Sequence, residues 1–391
     1  MSGHSPVKII IATPIYPPEI GGPATYTREI ALRLKGTHEV TIVAYTDVPD
    51  TIPGVKLVAV RKAQSFPIRF VKYSIALWVA SKDADLIYAQ NAMAAGLPSA
   101  LVSMLRGTPY ALKFVGDEAW ERATQHHLTD KLWEDFLDQS EGGLRIRLMM
   151  LIQGFVLRRA RIVTTPSRYL IEELIRAYGI KRERTVVNYN AAEENEILPF
   201  APALLPHQIC TTARLIDLKK IDGIIEALAI VRRAYPDATL VIGGDGPEME
   251  RLKALRERLE LTEAVTFLGR ISRAETWQLR KRSGVYVLNS THEGLPITVL
   301  TSFAAGIPMV ATNVPGTNEA VYHEDTGLLI EPGDTDALAH AIERLFKDGE
   351  LRERVIKNGL KILKEKFSWS AHEKILDSIF QSVRAEPGDV A

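Results

Sequence analysis

The sequence predicts an α/β protein made of two doubly wound, Rossmann-like halves. Short β-branched runs alternate with helix-period segments along nearly the whole chain, the pattern of parallel sheets covered by helices. At 391 residues the chain is too long for one ordinary core. The alternation breaks once, at 193–206, where acidic residues and Pro199, Pro202 and Pro206 interrupt it. We therefore expect an N-terminal domain at 1–192, a linker at 193–206, a C-terminal domain at 207–367, and a terminal helix and tail at 368–391.

Each element follows from its pattern. In the front half, β-branched runs predict strands at 7–12, 40–44, 56–60, 86–89, 110–114, 162–165 and 185–187. Apolar spacing of three and four predicts helices at 26–34, 94–105, 144–159 and 168–177. The back half restarts with strands at 208–212, 239–243, 264–267, 285–288, 309–311 and 327–330. Its helices are expected at 221–233, 248–259, 273–282 and 295–305, followed by a helical tail at 337–346, 350–366 and 369–383. A ligand of such a fold lies at the carboxyl ends of the strands.

Composition narrows the classes. Apolar residues make up 46% and charged residues 25%, as in globular proteins. Net charge is zero, which gives no case for nucleic-acid binding. The charge is uneven: 24 basic against 18 acidic side chains through residue 190, and 24 against 30 beyond it. The single cysteine, Cys210, excludes an intramolecular disulfide and reads as a buried strand thiol. The polar start leads directly into a strand and no uncharged run reaches membrane-spanning length, so a cytoplasmic location is expected.

Chemistry concentrates in loops that follow strands. Asn289 to Leu300 reads as a strand end, a loop carrying Glu293, and an apolar helix start. A helix start offers unpaired N–H groups to a phosphate, and Glu293 beside it suits a neutral polyol. Together they suggest a nucleotide-sugar seat, although such a carboxylate also serves as a solvated or capping group. Arg214 and Lys219 are spaced to grip two phosphates, Arg by its fork and Lys as a point charge. Asp117 follows a strand and reads either as a cleft-facing acid or as the N-cap of the next helix. Gly21-Gly22 and Gly243-Gly244 read as binding loops or as plain turns.

Taken in order, these segments resemble the retaining glycosyltransferases of family 4. The resemblance covers nearly the whole chain and is strongest from Arg214 to Pro332. It rests on Arg214-Leu215 with Lys219, Ile242 to Glu248, Phe267-Leu268-Gly269, Ser290 to Leu300, Ala304 to Thr312 and Thr326 to Ile330. Gly21-Gly22 and Pro166-Ser167-Arg168-Tyr169 match in the front half. It implies a GT-B fold, two domains facing across a cleft, with the C-terminal helix from Trp369 crossing back to the first. It further implies that Arg214 and Lys219 hold the donor diphosphate and that Glu293 contacts the donor sugar. The backbone of Gly294, Leu295, Pro296, Ile297 and Thr298 would receive phosphate, and Gly269, Arg270 and Ile271 would lie near the base. Gly21, Gly22, Gly244 and Thr301 complete the donor set, and Asp117 occupies a position where many relatives carry His.

The chain departs from that pattern at Thr301, where the family usually carries a second glutamate that grips the ribose. Losing a charge-assisted hydrogen bond costs about 1.5–3 kcal/mol, roughly ten- to hundred-fold in affinity. Lys220 stands where Gly is common, and Val187 to Asn190 where Pro-Asn-Gly is common. The expected function is metal-independent retaining transfer from a nucleoside-diphosphate sugar to a hydroxyl acceptor, with no cofactor. The alternatives are a non-catalytic nucleotide-sugar binder and, behind it, a nucleotide-sugar 2-epimerase. Residues 66–73 and 144–151 mix basic and apolar side chains, so peripheral contact with an anionic membrane at its inner face is a separate expectation.

Overall fold

The computed structural model describes residues 5–19, 22–126, 128–139, 142–192 and 203–384. The first half runs β1 (Lys8–Thr13), α1 (Gly22–Leu34), β2 (Glu39–Tyr45), β3 (Lys56–Val60), α2 (Phe66–Ala80), β4 (Leu86–Ala89), α3 (Gly96–Arg106) and β5 (Tyr110–Lys113). It continues with α4 (Glu118–Gln125), α5 (Trp133–Gln139), α6 (Gly143–Arg159), β6 (Ile162–Thr165), α7 (Arg168–Tyr178) and β7 (Thr185–Val187). The second half runs β8 (Leu205–Thr212), α8 (Ile221–Val231), β9 (Thr239–Gly243), α9 (Met249–Arg258), β10 (Val265–Gly269), α10 (Arg273–Arg282) and β11 (Ser283–Leu288). It closes with α11 (Ile297–Ala305), β12 (Met309–Thr312), β13 (Leu328–Ile330), α12 (Thr335–Lys347), α13 (Gly349–Lys366) and α14 (Trp369–Arg384).

The strands form two parallel sheets, one ordered β3-β2-β1-β4-β5-β6-β7 and the other β10-β9-β8-β11-β12-β13. Each sheet carries helices on both faces, so its strands are apolar on both sides, as Ile9-Ile10-Ile11 in β1 and the fully buried β11 show. Each sheet also reverses its winding once, between β1 and β4 in the first and between β8 and β11 in the second. At such a point neighbouring loops splay apart and leave a crevice at the carboxyl ends.

The chain divides into two compact units, Met1–Asn188 with Lys374–Ala391, and Tyr189–Glu373. The end of α14 packs in the first unit. Phe380 is buried edge-on against Tyr88, their ring centres 5.4 Å apart. Asp377 Oδ1 lies 3.4 Å from His38 Nε2, and burial lowers the His38 pKa despite that carboxylate. Residues 193–202 of the expected linker lie outside the described residues. Beyond them β8 already begins at Leu205, paired to Ser283 of β11, so 205–206 belong to the sheet.

Three local differences from the sequence reading have physical causes. Helix α1 opens at Gly22, four residues early, because Pro23 suits a first turn. Helix α2 escapes a periodicity search because it is apolar nearly all round, yet only Tyr73 and Leu77 are buried. The Tyr73 hydroxyl ties it to the sheet by donating toward the carbonyls of Val43 (3.0 Å) and Thr13 (3.2 Å). Helix α11 starts at Ile297 rather than 295, since Pro296 is extended at ψ 119° and serves as N-cap. Cys210 is buried in β8, where burial raises its thiol to about 11.

The docking of α14 yields a direct prediction. Phe380→Ala removes a fully buried ring, so urea denaturation should show a loss of about 3–5 kcal/mol. A loss below about 1 kcal/mol would mean that α14 contributes little to the first unit.

Candidate active site

The second unit brings its four strand-end loops to one edge. Strands β10, β9, β8 and β11 lie side by side, so the loops after them are neighbours. The β8 loop carries Arg214 and Lys219; the β11 loop carries Glu293. Lys219 Nζ donates to Glu293 Oε1 at 2.5 Å, with both side chains largely buried (22% and 11% exposed). Backbone and side-chain bonds fix the approach. Thr291 N donates to the Leu218 carbonyl at 2.9 Å, and Asn289 Nδ2 to the Lys220 carbonyl at 2.9 Å. The pair therefore sits at the point where this sheet reverses its winding.

Beside the pair, α11 begins with no side chain capping its N-terminus. Its first N–H groups have no intrahelical acceptor and carry partial positive charge. Arg214 is exposed, and among the described residues its guanidinium makes no hydrogen bond or ion pair. Two cations, an uncapped helix start and one carboxylate thus share a single loop cluster. Such a set can neutralise a diphosphate and hold a hydroxyl at Glu293.

Glycines make this packing feasible. A Cβ on Gly244, at φ +139°, would lie 1.8 Å from the Ala213 carbonyl oxygen. One on Gly316, at φ +80°, would lie 2.4 Å from the Glu293 carbonyl oxygen and 2.6 Å from that of Gly294. The sequence reading missed Gly316, although Pro315-Gly316 is a turn signal. It also missed Asn289 as the clamp on the β8 loop, and Gly223, where a Cβ would meet Asn289 Nδ2 at 2.7 Å. Gly269 adopts φ +67°, and its carbonyl accepts from Gly244 N at 2.7 Å, joining the β9 and β10 loops. Arg270 is exposed and 3.3 Å from Asp245 Oδ2, while Ile271 packs over Gly243.

Thr301 lies on α11, one turn past its first residue. Its hydroxyl donates into its own helix, toward the carbonyls of Ile297 (3.0 Å) and Thr298 (3.2 Å). Lys220 explains the glycine common at its position, for it adopts φ +41° as N-cap of α8. Its ammonium reaches Asp217 Oδ1 at 2.7 Å.

In the first unit, Gly22 opens α1 with no atom of the other described elements within 4 Å of where a Cβ would lie; Gly21 is outside the described residues. Asp117 is the N-cap of α4 and does not present a free carboxylate. Its Oδ1 accepts from Ala119 N and Trp120 N, both at 2.9 Å, and from Gln153 Nε2 at 3.0 Å, while Oδ2 accepts from the Tyr178 hydroxyl. Glu118 follows it and accepts from Met93 N at 3.0 Å. Burial, more than the neighbouring carboxylates, raises Glu118 to about 7, and burial likewise raises Glu121.

Two family models match the chain. The model described as "Glycosyl transferase 4-like domain" matches residues 21–191, and that described as "Glycosyl transferases group 1" matches residues 201–362. A glycogen synthase of Mycobacterium tuberculosis is 27% identical over 58% of this chain and 55% of its own length. The alpha-monoglucosyldiacylglycerol synthase of Streptococcus pneumoniae is 26% identical over 96% of this chain and 87% of its own. The chain spans little more than half the length of several curated relatives. Anabaena HepE, solved in complex with UDP, superposes with a TM-score of 0.73 at 21% identity, covering 96% of this chain and all of that one.

The αL geometry of Lys220 generates a stability prediction. Lys220→Gly should raise unfolding free energy by about 1 kcal/mol, because an L side chain at positive φ is strained. A loss of stability would show that the Lys220–Asp217 pair outweighs the strain. With one model on each sheet and its strand-end loops drawn together, the chain belongs to the family 4 glycosyltransferases, which have the GT-B fold.

Proposed function

We propose that this chain is a retaining glycosyltransferase that moves a sugar from a nucleoside-diphosphate donor to a hydroxyl acceptor. The Lys219–Glu293 pair beside the uncapped start of α11 carries this reading. As the diphosphate departs, the anomeric carbon gains positive charge and the phosphates gain negative charge. Arg214, Lys219 and the first N–H groups of α11 stabilise the departing charge where it develops. Glu293, released from Lys219 by the incoming phosphates, holds the sugar. The leaving phosphate takes the acceptor proton on the same face, so no enzyme nucleophile is assigned. Two cations and a helix terminus take the part of a metal.

The acceptor falls to the first unit. There Asp117 acts by holding the turn after β5 in place, since both its oxygens are engaged. The name of one relative matched along 96% of this chain, a glucosyl-diacylglycerol synthase, favours a lipid-linked acceptor. Exposed apolar side chains support peripheral contact of a cytoplasmic protein with an anionic membrane. On α2 they are Phe66, Ile68, Val71, Ile75 and Val79; on α6, Leu144, Leu148 and Leu151. Helix α2 has no acidic residue and bears Arg69 and Lys72. Among the described residues no helix is long and apolar enough to cross a membrane.

A non-catalytic nucleotide-sugar binder is the second reading, favoured by the Thr301 hydroxyl being spent on its own helix. Two measurements discriminate. Transfer assayed with UDP-, GDP-, ADP- and dTDP-sugars should persist in EDTA and give a product with the donor's anomeric configuration by NMR. Glu293→Gln should lower kcat/KM by roughly 10²–10³-fold, and Thr301→Glu should tighten donor binding about ten-fold. Binding without turnover in wild type and Thr301→Glu alike would favour the binder. For the membrane, co-sedimentation with anionic but not neutral vesicles is expected, reduced by Ile75→Asp/Val79→Asp; none at low salt would end that part.

A further inference from the structure

The carboxyl edge of the first sheet holds three buried hydrogen-bond donors that find no acceptor among the described residues. Lys113 ends β5 and is 4% exposed, with Nζ 3.2 Å from the centre of the Tyr26 ring. No hydrogen bond or ion pair joins that ammonium to any described residue. Thr164 of β6 is paired directly across from Lys113 and is 1% exposed, and its Oγ1 has no partner among the described residues. On the other side, Ala89 of β4 pairs with Leu112, so Gln90 is one step along, level with Lys113. Gln90 is 2% exposed and lies against the Tyr88 hydroxyl, yet its Nε2 finds no acceptor among the described residues.

These side chains share one face. Strand alternation puts Tyr88 and Gln90 on the face of Ala111 and Lys113, and the register adds Thr164. Tyr26 closes that face from α1: its hydroxyl is 3.2 Å from that of Tyr88 while its ring lies under Lys113. The row borders the place where this sheet reverses between β1 and β4.

We propose that Lys113, Gln90 and Thr164 form a subsite that takes a carboxylate or phosphate group carried by the acceptor. This rests on the glycosyl-transfer reading for the word acceptor, though not for the site itself. An ammonium, an amide NH₂ and a hydroxyl offer donors in excess of acceptors, and an anion reverses that imbalance. Folding alone does not require the lysine. An apolar residue of similar volume would pack on Tyr26 without burying an unpaired charge. Burial lowers the Lys113 pKa to about 7, as expected of an ammonium lacking a counter-ion, and no carboxylate opposes that effect. Asp117, Glu118 and Glu121, in the turn beyond, make no ion pair with it.

The test needs no turnover, so it stands apart from the transfer assay. In protein labelled with ¹³C at lysine Cε, the Lys113 resonance is followed from acid to alkaline pH in chloride, inorganic phosphate and glucuronate at equal ionic strength. Lys113→Met assigns the resonance; should that variant not fold, loss of the ring-current shift in Tyr26→Leu assigns it. A bound anion favours the ammonium, so the pKa should rise by about one unit or more in phosphate or glucuronate. Gln90→Ala should reduce the rise. A rise in phosphate assigns a phosphorylated acceptor, and one in glucuronate a uronate. No rise in either overturns the proposal, and a rise with UDP alone contradicts the assignment to the acceptor.

Discussion

The Lys219–Glu293 contact depends on the reversal of winding in the second sheet, and the function proposed for the second unit depends on the contact. Parallel strands deliver all their following loops to one edge. Only where the winding reverses do two adjacent strands send their chains to opposite faces and leave room between them. β8 and β11 are that pair, and their loops supply the cation and the carboxylate. A largely buried ion pair of this kind keeps both charges compensated. In the proposed function, an incoming diphosphate would compete for Lys219 and so free Glu293 for the sugar.

The backbone around the pair is constrained more tightly than the side chains. Gly244 and Gly316 are held against carbonyl oxygens closer than any side-chain carbon tolerates. Lys220 occupies a left-handed position without being glycine and offsets part of the strain through Asp217. These contacts let neighbouring loops approach one another closely at the carboxyl edge of the sheet. Thr301 loosens one requirement, since a hydroxyl bound to its own helix asks nothing of its neighbours.

Much of this was legible in the sequence, for identifiable reasons. Strands buried on both faces read as β-branched runs, so both sheets and every described strand could be placed. Lys219 and Glu293 were legible as chemistry, since residue type and loop position define them. Their mutual contact was not, because 74 residues separate them and only the pairing of β8 with β11 joins them. Asp117 could be read as an open acid or a helix cap, and the bonds from Ala119, Trp120, Gln153 and Tyr178 establish the cap. Helix α2 lacked a polar stripe, so its period was invisible. Gln90, Lys113 and Thr164 carry no motif, and only sheet register brings them into line.

The central claim is that Lys219 and Glu293 act as one unit in seating the donor. A double-mutant cycle on donor affinity tests it most directly, by calorimetric titration of the wild type, Lys219→Met, Glu293→Gln and the double variant with the nucleotide sugar that binds. The account predicts strong non-additivity, with the double variant binding about as weakly as Lys219→Met alone. Strictly additive losses, or single variants that bind like wild type, would contradict it.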